Sequence, residues 1–181
     1  MLQITIPAVE NWDQVTEEFI EARPAKTIQL EHSLVSIAKW EAKWKIPFYG
    51  KEDKTQEQVF DYIRCMTLTK NVDPVFYYGL SAENIEQIKS YIGDSQTATW
   101  FTEDKNVKKS HQIITAEIIY YWMIALQIPV EFQKWHINRL LTLIRVCNEK
   151  NKPPKKMSKR EIMSRNSQLN AARRAKLGTM G

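Results

Sequence analysis

The sequence predicts a mainly α-helical domain with a small β-meander at the amino terminus and a basic helical tail at the carboxyl terminus. Apolar residues at helical spacing recur through most of the chain after residue 33, whereas alternating apolar residues are confined to its start. Beyond residue 150, nine Lys and Arg residues stand against a single acid. With only five glycines in 181 residues, few positions suit tight hairpin turns, which disfavours an all-β fold.

The amino-terminal region, residues 1–31, is predicted to form a three-stranded meander. Every second residue from Leu2 to Ile6 is apolar, which is the alternation of a half-buried strand, and Pro7 ends the run. The segments Phe19–Ile20 and Ile28–Leu30 predict two further short strands. We expect these strands to pair in the order in which they occur in the chain.

Start and stop signals divide the rest of the body into helices. Apolar residues three or four apart from Leu34 to Trp44 share one helix face, and Pro47 ends that helix. A capping box at Thr55–Gln58 begins the next one. The N-cap pattern Asp73-Pro74 and the N-cap residue Ser81 predict two more helix starts.

The longest apolar run, Ile118 to Leu126, lies within a helix predicted over residues 113–127. Nine residues cannot span a bilayer, which needs about 20 in a helix, so we expect no membrane-spanning segment and a water-soluble protein. The run instead predicts a helix that is buried on most sides, with Trp122 in the core. Another long helix is predicted over residues 132–148, and residues 95–111 lack any period and predict a loop.

The charge of the chain changes sign near residue 150. Residues 151–181 carry nine Lys and Arg against one acid, a net charge of +8, which leaves −3 for residues 1–150 out of a total of +5. The tandem prolines Pro153-Pro154 mark the boundary, because they end a helix. A capping box at Ser158–Glu161 begins a tail helix that we expect over residues 158–177.

Most catalytic constellations are absent from the sequence. It has no glycine-rich loop before a Lys-Ser or Lys-Thr pair, no His-Glu-x-x-His and no Cys-x-x-Cys, so neither a nucleotide-phosphate site nor a zinc site is predicted. Cys65 and Cys147 are interpreted as buried thiols in a reducing compartment. We therefore expect a protein that is not an enzyme and binds no cofactor or metal.

The isolated titratable residues are interpreted as structural. Glu117, within the apolar helix, is expected either on the solvent-facing side of that helix or in an ion pair with Arg139 or Arg145. A structural ion pair is preferred over a catalytic role. The histidines are expected to be hydrogen-bonded rather than catalytic: His32, His111 and His136.

The aromatic residues allow two interpretations. Most of the six Trp are expected to fill the core or to anchor loops, although Trp and Tyr are also favoured at protein interfaces. Trp100-Phe101 lies in the polar loop and is the best candidate for an exposed partner-binding anchor.

The basic tail has three interpretations: docking on a protein partner, binding nucleic acid or another polyanion, or no partner. On a helix, Ile162 and Leu169 lie on a thin apolar stripe, which would anchor the tail in a groove of a protein. Lys and Arg side chains would instead neutralise phosphates, and no aromatic residue accompanies them for stacking on single strands. The cationic partner-binding candidates are Lys155, Lys156, Lys159, Arg160, Arg173 and Arg174.

Five segments spread over nearly the whole chain carry a family resemblance: LEHSLVSIAKWE (30–41), DYIRCMT (61–67), IIYYWM (118–123), WHINRLL (135–141) and KKMS (155–158). Together they resemble a family of small proteins of long-tailed bacteriophages that are encoded among the tail genes, near the tape-measure protein. The segments are marks of the family and not mechanistic motifs, and the resemblance supplies no catalytic residues.

The resemblance implies a role in tail assembly, as a chaperone that binds the tape-measure protein before the tube polymerises around it. A structural virion protein of the neck or tail, either a connector or a tube-associated protein, is the alternative, and a nucleic-acid-binding phage protein that acts through the basic tail is a third. The implied partners are a tape-measure or tube protein, with homo-oligomers left open and no membrane. The implied location is the cytoplasm of the infected bacterial host, and a place in the virion is left open.

Overall fold

The computed structural model describes residues 1–14, 17–102, 113–153 and 158–178. The chain divides into two compact units, Met1–Asn148 and Glu149–Gly181. This division lies close to the boundary predicted near residue 150.

The amino-terminal region contains four strands: β1 Leu2–Ile6, β2 Val9–Asp13, β3 Glu18–Arg23 and β4 Lys26–Leu30. β1 pairs antiparallel with β4, and β2 pairs antiparallel with β3. A small β-element before a mainly helical fold is therefore confirmed. The pairing differs from the expected meander, because the β2–β3 hairpin (β2 and β3 together) is nested between two strands that pair with each other.

The unpredicted strand β2 has almost no buried side chain, so its sequence lacks the apolar alternation of a half-buried strand. By contrast, β1 and β4 send alternate residues into the core. Ile4, Ile6, Ile28 and Leu30 are all buried there.

Five helices contribute side chains to one hydrophobic core together with β1 and β4: α1 Leu34–Trp44, α2 Gln56–Met66, α3 Ala82–Gly93, α4 Ala116–Ala125 and α5 Ile137–Asn151. Short 3-10 helices occupy Pro74–Gly79 and Val130–Lys134. The Asp73-Pro74 start signal thus begins a 3-10 helix, and the helix expected from residue 132 is divided between a 3-10 helix and α5.

Most predicted helix starts are present as hydrogen-bonded caps. Thr55 and Ser81 each form a capping box with the residue three positions later. The Asp73 side chain accepts a hydrogen bond from the Val75 amide at 2.9 Å. These signals are local, because the cap and its partner are only two or three residues apart.

The burial of α4 is the feature in which the structure differs most from the prediction. Only Ala116, Ile119 and Met123 are buried, and they form one stripe of the helix. Ile124 is 76% exposed, and Trp122 is half-buried against the core. The expectation of burial on most sides, with Trp122 fully inside, is wrong, because the core covers α4 on one face only. Within the described residues, no helix is both long enough and apolar enough to cross a membrane.

The second unit contains α6, Lys159–Leu177, in agreement with the helix predicted over residues 158–177. Ser158 and Glu161 form the predicted capping box. Gly178 ends the helix in the left-handed conformation, with φ of 63°.

Candidate protein-binding surfaces

α6 is an exposed helix with an apolar stripe. None of its 19 residues is buried. Ile162 and Leu169 are seven residues apart, which places them on the same face two turns from each other. Their side chains are 43% and 46% exposed. A partner helix or groove could bury this stripe.

Cations surround that stripe, and the one acid of α6 is already engaged. The Glu161 carboxylate accepts a hydrogen bond from the Ser158 amide at 2.7 Å, and the Ser158 hydroxyl accepts one from the Glu161 amide at 3.2 Å. These hydrogen bonds lower the pKa of Glu161. The described cationic candidates lie in the first turn and near the end of the helix: Lys159, Arg160, Arg173 and Arg174. Lys155 and Lys156 lie outside the described residues.

The two aromatic candidates of the loop have different environments. The Trp100 side chain is 81% exposed, as a partner-binding anchor requires. Phe101 is half-buried, and the guanidinium carbon of Arg145 lies 4.1 Å from its ring centroid. Phe101 therefore packs against a side chain of α5, and Trp100 is the aromatic residue left to contact a partner. Their binding role stays a prediction.

The β2–β3 hairpin carries a second exposed aromatic site, which the sequence did not reveal. Trp12 and Phe19 are directly opposite each other in the register, with their ring centroids 5.0 Å apart in an edge-to-face arrangement. They are 53% and 67% exposed. The only signal was an aromatic residue in an otherwise polar segment, which is weak without knowledge of the strand pairing.

α4 exposes a third apolar surface. Glu117, Tyr121 and Ile124 lie four and three residues apart on its outer face and are all exposed. The expected ion pair of Glu117 is not among those formed by the described residues. Both proposed partners are engaged with rings instead, since Arg139 lies 4.0 Å from the Trp135 ring centroid and Arg145 covers a phenylalanine.

The two described histidines are buried in the core, as expected of structural residues. The Nδ1 atom of His32 lies 2.5 Å from the hydroxyl oxygen of Tyr62. The Nε2 atom of His136 lies 3.0 Å from the carbonyl oxygen of Tyr91. Burial, with a smaller effect of His136, lowers the pKa of His32 to about 3. His111 lies outside the described residues.

Two cavities of the first unit are lined by few groups that could support a reaction. One of about 370 Å³ is lined by Phe60, Asp61 and Tyr78 among others. The Asp61 carboxylate there accepts hydrogen bonds from Lys43 at 2.6 Å and Trp44 at 2.9 Å, and it pairs with Arg64 at 2.8 Å. These contacts leave this carboxylate little capacity to act as a base.

A second cavity and the two cysteines give equally little support for catalysis. A second cavity, of about 600 Å³, lies between α1 and the start of α2. Both Cys65 and Cys147 are free thiols, and burial raises the pKa of Cys65, which disfavours the reactive thiolate. In the described ranges, no three His, Cys, Asp or Glu residues come together as a metal site would require.

In comparisons with protein-family models, with curated protein sequences and with solved structures, nothing matches this chain at a significant level. The function is therefore inferred from the surfaces described above and from the sequence resemblance.

Proposed function

We propose that this chain is a non-enzymatic protein-binding factor in bacteriophage tail assembly, and that it acts as a chaperone for the tape-measure protein. The observation that carries the proposal is a 19-residue helix, α6, with no buried side chain. The sequence resemblance to small tail-gene proteins gives the biological setting.

A helix that buries nothing is unusual, because most helical stability in proteins comes from packing of an apolar face. The capping box and the terminal Gly178 favour the helical conformation of α6 without supplying such packing. A partner that covers Ile162 and Leu169 would supply it, in the way that amphipathic helices bind grooves. The neighbouring cations favour a partner with acidic residues beside its apolar face.

A tape-measure protein is a suitable partner, since it is long, helical and amphipathic. The exposed Trp100 offers a second contact on the first unit. Such contacts are small and separate, as a chaperone needs if it is to release its client when the tube forms.

The test is a titration of the full chain against a helical tape-measure fragment. Replacing Ile162 and Leu169 with Ala should abolish binding, because the apolar stripe anchors the helix. The matched variant, Arg173→Ala with Arg174→Ala, should weaken it less. Binding that survives loss of the apolar pair would overturn the docking role of α6.

Mass spectrometry of purified virions separates the chaperone from a structural protein of the neck or tail. A chaperone leaves before maturation, so its peptides should be absent from virions and present in the infected cell. Peptides at the stoichiometry of a tail protein would favour the structural alternative.

The excess of cations on α6 favours a second candidate, the binding of nucleic acid or another polyanion. Charge-driven binding to duplex DNA weakens with salt, with a log–log slope of about −0.9 per phosphate neutralised. We expect only weak, salt-sensitive DNA binding that ignores the apolar pair. Tight DNA binding with no affinity for the tape-measure fragment would favour this candidate instead.

A further inference from the structure

The cavity of about 370 Å³ has the composition of a small-molecule site, although it lacks the groups for a reaction. Side chains of α1, of α2 and of the 3-10 helix that precedes α3 line it. Pockets that hold small ligands have volumes of about 300–1,000 Å³, largely apolar walls and a few polar groups. Here the walls supply the rings of Phe60 and Tyr78 and the charges of Lys43, Asp61 and Arg64.

Two cations in this lining share one carboxylate oxygen. The Nζ atom of Lys43 lies 2.6 Å and the Nη2 atom of Arg64 lies 2.8 Å from Oδ1 of Asp61. The other oxygen of Asp61 accepts a hydrogen bond from the Trp44 indole at 2.9 Å. The Asp61 side chain is only 4% exposed, so it holds the two cations close together. These three charged side chains carry one net positive charge.

Lys43 and Arg64 retain the capacity to bind an anion. An ammonium has three N–H donors and a guanidinium has five, which is more than one carboxylate can accept. Both side chains are 48% exposed, so a ligand can reach them. Hydrogen bonds from a cation to an oxyanion are stronger than neutral ones, and the guanidinium fork suits both carboxylate and phosphate.

The aromatic wall of the cavity suits a planar group. The Tyr78 side chain is 80% exposed, and its ring centroid lies 6.2 Å from that of Phe60. Such rings favour offset stacking with further aromatic rings. Glu57, in the first turn of α2, also lines the cavity and lies about 10 Å along the helix axis from Arg64. The anionic end of a ligand therefore belongs beside Arg64, away from Glu57.

We infer that this cavity binds a small aromatic molecule with one anionic end, either a phosphate or a carboxylate. Its oxyanion accepts hydrogen bonds from Lys43 and Arg64, and its ring stacks on Tyr78. A nucleoside monophosphate and an aromatic carboxylate share this chemistry. Ligand binding here uses no residue of α6, so this site and the proposed contact with a tail protein can be refuted separately.

The experiment titrates the isotope-labelled full chain with adenosine monophosphate and with para-aminobenzoate, and it follows the Trp44 indole N–H by NMR. This group reports on the site because it donates to Asp61. We expect at least one probe to shift the resonance with a dissociation constant below about 1 mM, and the probe that binds identifies the oxyanion as phosphate or carboxylate. Adenosine, aniline and inorganic phosphate each lack the oxyanion or the ring, and they should bind at least about tenfold more weakly.

Two variants locate the ligand. Arg64→Gln should weaken binding of the probe at least about tenfold, because a charge-assisted hydrogen bond is lost. Tyr78→Ala, at a side chain exposed enough for the fold to tolerate the change, should weaken it at least about threefold, because the ring contact is lost. The remaining resonances show whether each variant is folded.

The controls Lys89→Gln and Tyr121→Ala remove a cation and a tyrosine at exposed positions of α3 and α4, and they should bind the probe like the parent chain. If neither probe shifts the Trp44 resonance, or if either Arg64→Gln or Tyr78→Ala binds as tightly as the parent, the inference is overturned.

Discussion

His32 and His136 lie edge to face in the core, with their ring centroids 5.0 Å apart. The backbone joins the same two segments, because the amide of Ile137, the residue after His136, donates a hydrogen bond to the carbonyl oxygen of His32 at 2.7 Å. Two buried imidazoles so close together cannot both accept a proton at low cost. Burial lowers the pKa of both rings, so the packing of the start of α5 against the end of β4 favours their neutral forms.

The first prediction is that stability falls as the pH is lowered. The pKa of His32 is about 3 in the folded chain, against the usual value of 6.5, so the unfolded chain binds more protons between these values. The stability is fully present above about pH 6.5 and is lost as the pH falls toward 3. His32 alone should cost about 3 kcal/mol between pH 7 and pH 4, at about 1.4 kcal/mol per pKa unit.

Denaturant unfolding at several pH values measures this effect. The variant His32→Asn should be less stable at pH 7 but should lose less stability on acidification, because it cannot titrate. Parallel pH profiles for the parent and the variant would show that His32 is not the source.

The second prediction concerns Glu41, a buried carboxylate that caps α4 from another helix. Its two oxygens accept hydrogen bonds from the Phe48 amide at 2.7 Å and the Ala116 amide at 2.8 Å, while the N-cap residue Thr115 makes no side-chain cap bond. In Glu41→Gln, the amide NH₂ would face one of these donors. We expect a loss of about 2 kcal/mol, the cost of one unsatisfied buried donor together with a weaker acceptor.

Thermal or denaturant unfolding checks that loss. The matched control is Glu117→Gln in the first turn of α4, where the side chain is exposed and the change should stay within about 0.5 kcal/mol. Equal effects of the two substitutions would mean that Glu41 does not cap the helix.

The third prediction is a coupling between Gly79 and Arg23. A Cβ atom at Gly79 would clash with the Nη2 atom of Arg23, so the guanidinium would have to move. It would then lose its hydrogen bond to the Val75 carbonyl and its position over the Phe76 ring. We expect Gly79→Ala to cost about 1–2 kcal/mol in the parent chain.

A double-mutant cycle isolates the pair. In the Arg23→Ala background, Gly79→Ala should cost almost nothing, which corresponds to a coupling of about 1 kcal/mol. Additive losses would place the cost of the alanine in the backbone rather than in the contact with Arg23.

The fourth prediction is that the second unit is dispensable for the stability of the first. Truncation after Asn151 retains all of α5 and removes α6, none of whose residues is buried. The melting temperature of the truncated chain should stay within about 3 °C of the parent value, because little buried area is lost. A collapse of the fold would show that the first unit needs the removed residues.

The features that could be predicted from the sequence are those with local causes. The capping boxes at Thr55, Ser81 and Ser158 are decided by residues three positions apart, and each is present in the structure. Local patterns also predicted two other features. The polar neighbours of Trp100 predicted its exposure, and a cap followed by a helical pattern predicted the tail helix.

The missed features depend on contacts that are distant in the chain. The apolar composition of α4 could not reveal that only one face is covered, nor that its start is capped by Glu41. The Trp12–Phe19 pair forms only when β2 and β3 are in register, and β2 is too polar to be recognised as a strand. The hairpin face therefore became visible only in the structure.

Amide hydrogen exchange of α6 tests the central claim, that this helix docks on a tail protein, most directly. In the free chain, the amides of α6 should exchange fast, because none of its residues is buried. Addition of the tape-measure fragment should slow exchange across α6, most strongly around Ile162 and Leu169. A fragment that binds the chain and leaves the exchange of α6 unchanged would contradict the account.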